Sequence, residues 1–349
     1  MTFKYLLGAF LLMGCASWSA ASEPESAAPH SRDLNVMVLN VWMEAKNVPN
    51  GFAAVVDEIV RVNPDIVMFC EANNRTDGFY VQSLLKELQD RGLKYYGQGG
   101  GSDVQMISRY PVTAQSGNIP DGEGTSVLRT TLDVNGEKVI VYTTHLDYTH
   151  YECYMPRGYS GTTWQKMPAP VTDTEIVMAA NDESKRDESI RAIIKDALTQ
   201  KADLILLGGD FNEPSHLDWG EDTKTLWDHN GAVIPWTCSS LLYAAGFRDA
   251  YREKYPDPVT HPGFTFPSDN AAMPVSKLTW APDADERDRI DFIYFIPSGE
   301  WKVDDACIVG PAGSIVRSQR VAENTQDKFS SPSGTWPTDH KGVLIKFTH

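Results

Sequence analysis

Six short polar clusters each close an apolar run in this chain: LNVW ending at Trp42, MFCE at Glu71, THLD at Asp147, GGDFN at Asn212, RIDF at Phe292 and TDH at His340. Glu71 and Asn40 offer a carboxylate and an amide oxygen. Such donors suit a hard cation like Mg²⁺, which keeps several waters and takes other ligands from a substrate phosphate. Asp210 can orient or deprotonate a water, and Asn212 can hold that water or a phosphate oxygen. His145 and His340 bring the positive charge that a phosphoryl group needs as charge builds on its oxygens. Asp339 precedes His340, and Asp291 lies in another cluster able to reach it. A carboxylate bonded to an imidazole fixes its tautomer and favours its charged form. Each cluster alone has a structural alternative, a helix cap or ion pair for Glu71 and an Asx-turn for GGDFN. Together they point to phosphate-ester chemistry.

These residues can act together only if the fold brings them to one rim. Val36 to Leu39, Ile66 to Phe69, Val139 to Tyr142 and Leu204 to Leu207 are short Val/Ile/Leu-rich runs, the pattern of strands buried on both faces. A polar group left unpaired in such a core costs several kcal/mol, so the economical arrangement puts the strand-end residues at one edge. In layered α/β proteins that edge is where ligands bind. Phe52 to Val60, Val81 to Leu88 and Ile190 to Leu198 repeat at helical spacing and give three amphipathic helices, the first ended by Asn63-Pro64. Val127 to Val134 and Lys138 to His145 flank Asn135-Gly136, a strong hairpin signal, so the sheet is mixed. Ile290 to Ile296 and Gly342 to Phe347 supply later strands. The Gly208-Gly209 pair lets backbone and substrate approach closely at GGDFN.

Two long stretches fit no regular element and are rich in aromatics: Tyr148 to Val171, and Ser215 to Trp236 with Trp219, Trp227 and Trp236. Loops this long in a compact domain are usually functional, and we read both as pocket walls. Tyr151, Tyr154 and Arg157 are the candidate substrate contacts. Arg157, Lys185 and Arg186 are the best local cations, with a solvated charged face beside the helix at Asp187 as the alternative.

The order Asn40, Glu71, THLD, GGDFN, RIDF, TDH resembles that of the endonuclease/exonuclease/phosphatase superfamily, and the resemblance runs from Leu34 to Phe347. It implies an α/β, or α+β, four-layer sandwich: two mixed sheets packed face to face with helices outside, as in deoxyribonuclease I. It implies metal at Glu71 with Asn40 nearby, Mg²⁺ with Mn²⁺ as a substitute, and Asp210 activating water. His340, held by Asp291, would stabilise the pentavalent transition state, and Asn212 and His145 would bind the scissile phosphate. Asp339 would touch a second metal or the water. Gly99 to Pro111 resembles the family's Gly-rich approach to a strand, but Asp103-Val104-Gln105 stands where small or apolar residues are commoner. A polar side chain there could pair with His145.

The first residues suggest export. Lys4 precedes the apolar run Tyr5 to Met13, too short to span a bilayer but suited to an export signal. Leu12 to Cys15 resembles a bacterial lipobox with Cys15 as the lipidated residue, and cleavage after Ala21 is the competitor. The expected organisation is a signal over 1–21, a linker over 22–32 and one domain over 33–349. The protein would then be periplasmic, a surface lipoprotein touching membrane only through its lipid, or secreted. Cys70, Cys153, Cys238 and Cys307 lack zinc-site spacing and allow three disulfide connectivities, although Cys70 fits a small buried thiol.

A net charge of −16 over 349 residues weakens attraction to polyphosphate backbones. The first expectation is therefore a monomeric, exported, metal-dependent phosphoesterase acting on a diester or monoester of a small molecule, head group or lipid. A secreted nuclease of the same chemistry is the alternative. A lipoprotein that binds a phosphorylated ligand without turnover ranks last, because it needs no water-activating carboxylate.

Overall fold

Apolar residues at alternate positions of each central strand face opposite ways, and this builds the layers. The computed structural model describes residues 33–72, 80–98, 103–117, 119, 126–297 and 300–349. The expected export signal with Cys15, the expected linker and the Gly-rich residues 99–102 lie outside the described residues. From Asp33 to His349 the chain forms one compact unit.

The strands, in chain order, are β1 Asp33–Asn40, β2 Ile66–Cys70, β3 Gln105–Ser108, β4 Val112–Ser116, β5 Ser126–Val134, β6 Glu137–His145 and β7 Leu204–Asp210. They continue with β8 Arg248–Asp249, β9 Asp291–Ile296, β10 Lys302–Val309, β11 Gly313–Val316, β12 Gln319–Ala322, β13 Phe329–Ser330 and β14 Gly342–Thr348. One six-stranded sheet runs β13-β10-β14-β1-β2-β3, the other β4-β5-β6-β7-β9-β8, and β11-β12 is a separate ribbon. Both large sheets are mixed: β1 pairs parallel with β2 and antiparallel with β14, and β7 pairs parallel with β6 and antiparallel with β9.

Val36, Val38, Ile66 and Met68 of the first sheet meet Val139, Val141, Leu204 and Leu206 of the second in the central core. Met37, Leu39, Val67 and Phe69 point the other way, onto α1 (Gly51–Val62) and α2 (Tyr80–Asp90). With α3 spanning Thr174–Asn181, α4 covers Arg186–Ala197 and α5 Thr237–Ala244. Ile140, Tyr142, Ile205 and Leu207 pack outward against Ile190 and Ile193 of α4 and Leu242 of α5. A short α6 follows at Ala250–Lys254. The result is helix, sheet, sheet, helix, and each fully buried aliphatic side chain contributes about 1.5–3 kcal/mol.

The local signals explain the boundaries. Asn63 adopts a left-handed conformation and its N–H caps Ile59 O, closing α1 immediately before Pro64. Asn135 and Gly136 both have positive φ, the geometry of a tight hairpin turn between β5 and β6. Asp173 caps α3 by accepting from Glu175 N and Ile176 N. Three helices expected from periodicity are present, and α3, α5 and α6 add to them. All four described cysteines are buried free thiols, so none of the three disulfide connectivities is formed.

Candidate active site

Strand register gathers the charged residues. His145, Asp210 and Asp291 are lateral neighbours across β6, β7 and β9: His145 pairs with Asp210, and Asp210 with Asp291. From the facing sheet come Asn40, at the end of β1 beside Cys70, and Glu71 just after β2. Asp339 and His340 precede β14. Their loop is fixed by Asn270, whose amide donates to Trp336 O and Thr338 O at 3.0 Å each. Ser268 N donates to Asp339 O at 2.7 Å, and Trp336 Nε1 donates to His340 O at 2.7 Å.

Asp210 lies at the centre and is almost fully buried. Its Oδ1 accepts from Asn212 N at 2.9 Å, and its Oδ2 from Asn40 Nδ2 at 3.0 Å. His145 Nε2 lies 3.7 Å and His340 Nε2 3.8 Å from the same Oδ2. Each imidazole is backed on its other nitrogen by a carboxylate. His340 Nδ1 pairs with Asp291 Oδ2 at 2.9 Å, and His145 Nδ1 with Asp103. Burial would push both imidazoles down, but their carboxylate neighbours outweigh it and raise His145 to about 9 and His340 to about 10. Two imidazolium groups therefore flank one carboxylate at neutral pH. Burial, reinforced by Asp291, pushes the Asp210 carboxyl above its ordinary range, and the two imidazolium charges oppose that rise. A proton acceptor with a raised pKa is better matched to work near neutrality.

The backbone that delivers Asp210 needs glycine. Gly209 has φ +149°, and a Cβ there would lie 1.7 Å from Thr144 O. A Cβ on Gly208 would lie 2.5 Å from Met68 Cε and 2.9 Å from Val38 Cγ2 of the facing sheet. Cys70 Sγ accepts from Asp210 N and donates to Thr144 O, both at 3.2 Å, tying the two sheets at the rim.

The donor set fits a hard divalent cation. Glu71 Oε2 accepts from Met43 N at 2.8 Å and Oε1 from Asn40 Nδ2 at 3.1 Å, which fixes the carboxylate at the cleft wall. Asp339 lines the same cleft, and burial together with the charge of Glu71 pushes its carboxyl up to about 7 despite the opposing charge of His340. Oxygen donors so placed that their charges repel are what an added Mg²⁺ would relieve. Asn40 stands between Glu71 and Asp210. Its oxygen accepts from Trp42 N at 2.9 Å while its amide donates to Glu71 and Asp210, so it positions carboxylates. Asp210, Asp291 and His340 also bring donor atoms within 4.8 Å of one another. Because Asp291 Oδ2 already takes the His340 bond, we read that trio as a proton-holding array.

Glu71, His145, Asp210, Asp339 and His340 floor a cleft of about 260 Å³. Asn212 lines it and donates Nδ2 to Leu146 O at 3.0 Å. Tyr148, Tyr151, Tyr154 and Trp164 form part of its wall, as expected of the first aromatic stretch. Arg157 corrects the sequence reading. Its side chain is fully buried and paired with Asp288, and it donates to Cys153 O and Arg287 O, behind the wall and not among the residues lining the cleft. A cation inside an aromatic loop gives no clue to which side it faces.

Trp219 and Trp236 are likewise buried in the cluster behind Tyr154, so the second aromatic stretch backs the wall without lining it. Arg186, another candidate surface cation, is buried and donates to Asp147 O, Thr149 O and His150 O, anchoring the loop after β6. Phe266 and Trp280 also line the cleft. They come from segments without periodicity, and no pattern marked them.

A sequence model of the endonuclease/exonuclease/phosphatase family matches residues 37–340. An uncharacterised Caenorhabditis elegans protein, F14F9.5, is 27% identical over 327 residues, covering 91% of this chain and 92% of that protein. Among solved structures, a humanised D. rerio TDP2 carrying 14 mutations superposes with a TM-score of 0.53 at 16% identity, over 91% of this chain and 100% of that one. The human Nocturnin catalytic domain with bound sulfate anion gives 0.51 at 14% identity, over 91% and 95%. At these identities the structural matches speak to the fold.

Proposed function

Since the chain belongs to the endonuclease/exonuclease/phosphatase family, whose members hydrolyse phosphate esters and usually need a metal, we propose that it is an exported, Mg²⁺-dependent phosphoesterase acting on a small molecule, head group or lipid. One observation carries this reading: Asp210 lies between two imidazoles, each held cationic by its own buried or half-buried carboxylate. That is an arrangement for accepting one proton while neutralising charge on phosphoryl oxygens.

In the proposed reaction a water oxygen bonds to phosphorus in line with the ester oxygen that leaves. Asp210 takes a proton from that water, and the P–O bond to the alcohol breaks. His340 and His145 face the phosphoryl oxygens as imidazolium, and Asn212 orients the phosphate. The leaving alkoxide takes up a proton from solvent and Asp210 releases the one it gained, so products are the free alcohol and a phosphate with one ester bond fewer. Glu71 and Asp339 would hold the cation, which supplies Lewis-acid stabilisation of developing negative charge.

Acidic balance supports a small substrate over a nucleic acid, as does the lack of Lys or Arg among the described residues lining the cleft. The decisive experiment assays the mature domain with Mg²⁺ or EDTA against simple aryl phosphates, sphingomyelin, inositol phosphates, plasmid DNA and RNA. Metal-dependent turnover of a small ester, lost in Asp210→Asn and His340→Ala, is expected. Full activity in either variant would sink the mechanism, and activity confined to the polymers would replace the small-substrate reading with a nuclease.

A further inference from the structure

Resting on that reading, we propose that the cleft contains a ring-binding subsite and that the group esterified to the phosphate is a planar aromatic or heteroaromatic one. Tyr151, Tyr154, Trp164 and Trp280 form one continuous wall of the cleft beside the catalytic rim. Successive ring centroids lie 4.9, 5.9 and 5.4 Å apart. These edge-to-face and tilted contacts fall within the range of favourable ring geometry, so a further ring can join the cluster.

Part of this wall is fixed from behind. The Tyr154 hydroxyl donates at 2.6 Å to Glu286, a fully buried carboxylate. Glu286 also accepts the N–H groups of Trp280 and Ala281 at 3.1 Å each, and the Thr279 hydroxyl. One buried carboxylate thus locks Tyr154 and the segment carrying Trp280 together before any ligand arrives. Arg157, paired with Asp288 and lying 5.0 Å from the Trp219 ring centroid, braces the wall from behind. Binding to such a preset surface spends little on ordering side chains. Trp280 nonetheless remains 53% exposed, an indole with half its surface unused.

Other occupants fit less well. A polyol such as a sugar or inositol needs hydrogen-bonding partners along its ring, and the cleft lining is mostly apolar. A polyphosphate needs cations, and no Lys or Arg is among the described lining residues. A long acyl chain needs more room than about 260 Å³, a volume just below the usual range for drug-sized ligands.

The test measures binding separately from turnover. Calorimetry with the mature domain and Mg²⁺ compares 2-naphthylmethylphosphonate, decylphosphonate and inositol monophosphate, using the wild type, Trp164→Ala and Trp280→Ala. Hydrolysis of methyl 4-nitrophenyl phosphate and of a naphthyl diester is followed in parallel.

The naphthyl phosphonate should bind at least about tenfold tighter than the alkyl one of similar carbon number. Each Trp variant should lose most of that preference, with KM for the naphthyl diester rising and kcat holding. Equal or tighter binding of the alkyl or inositol ligand, or an unchanged preference in both variants, would overturn the subsite. Should the ring preference persist without any hydrolysis, the subsite would stand and the phosphoesterase reading would fail. Hydrolysis without the preference would do the reverse.

Discussion

Replacing Asp103 by Asn keeps the size of the side chain and a hydrogen-bonding atom but removes the charge behind His145. In the native site burial works against the imidazolium. The Asp103 bond, with the charges of Asp210 and Glu71, overcomes it and holds His145 at about 9. Without Asp103 the burial cost gains weight, and His145 falls toward its ordinary value of 6.5. A fall of that size corresponds to ~3 kcal/mol lost from the charged form. At pH 8 the imidazolium fraction drops from roughly nine-tenths to roughly three-hundredths, so a step that requires it slows up to about thirtyfold.

The assay is kcat/KM against pH from 5 to 10 on a simple diester, with the His145 ring resonance titrated in parallel. Wild type should hold its rate until near pH 9, and Asp103→Asn should lose rate from near 6.5. The stability consequence has the same sign. A histidine whose folded pKa is raised contributes stability that is complete below 6.5 and is lost as pH rises through about 9. The variant's stability deficit should therefore be largest in mildly acidic solution and shrink toward pH 9. Coincident rate profiles and an unmoved resonance would refute the assignment of Asp103 as the group that charges His145.

Arg157→Met should cost ~3–5 kcal/mol of unfolding free energy, because it strands Asp288 in a buried site; a denaturant midpoint close to wild type would return Arg157 to the surface. Glu71→Gln should raise the Mg²⁺ concentration for half-maximal activity at least about tenfold, and an unchanged metal titration would remove Glu71 from the cation. Cys70, Cys153, Cys238 and Cys307 are buried with thiol pKa values pushed up by burial. In a Cys15→Ala chain they should stay silent to a thiol reagent at pH 8 until denaturant is added, and rapid native labelling would contradict the packing around them.

The sandwich was legible because its central strands are buried on both faces, and a run such as Val36 to Leu39 has to be apolar throughout to fill two cores at once. Helices α1, α2 and α4 were legible for a related reason, since each lays one apolar stripe on a sheet. Helix α5 was not, because its TCSSLLYA sequence buries only Cys238, Ser239 and Leu242, too few apolar positions to set a period. The charged rim could be read because each member ends a strand, where register dictates position.

The wall could not be read in the same way. Trp280 reaches the cleft through Glu286, six residues on in a segment with no repeat, and Arg157 is turned inward by Asp288, 131 residues away. Such placements depend on tertiary partners. For this reason aromatic content marked a pocket correctly at Tyr151 and Tyr154 and misled at Trp219 and Trp236.

The rim also shows that catalytic geometry and core packing are one problem in this fold. Asp210 belongs to the second sheet, yet Asn40 and Cys70 of the first hold its carboxylate and its backbone N–H. Directly beneath, Gly208 admits Met68 and Val38 from that facing sheet where any Cβ would collide. The separation of the sheets at this end therefore sets where Asp210 stands relative to Glu71. A misplacement of about 1 Å can cost on the order of a hundredfold in rate. A core change at Met68, fully buried and outside the cleft lining, would consequently act on turnover through the position of Asp210, and glycine at 208 is as much a requirement of the site as the carboxylate two residues later.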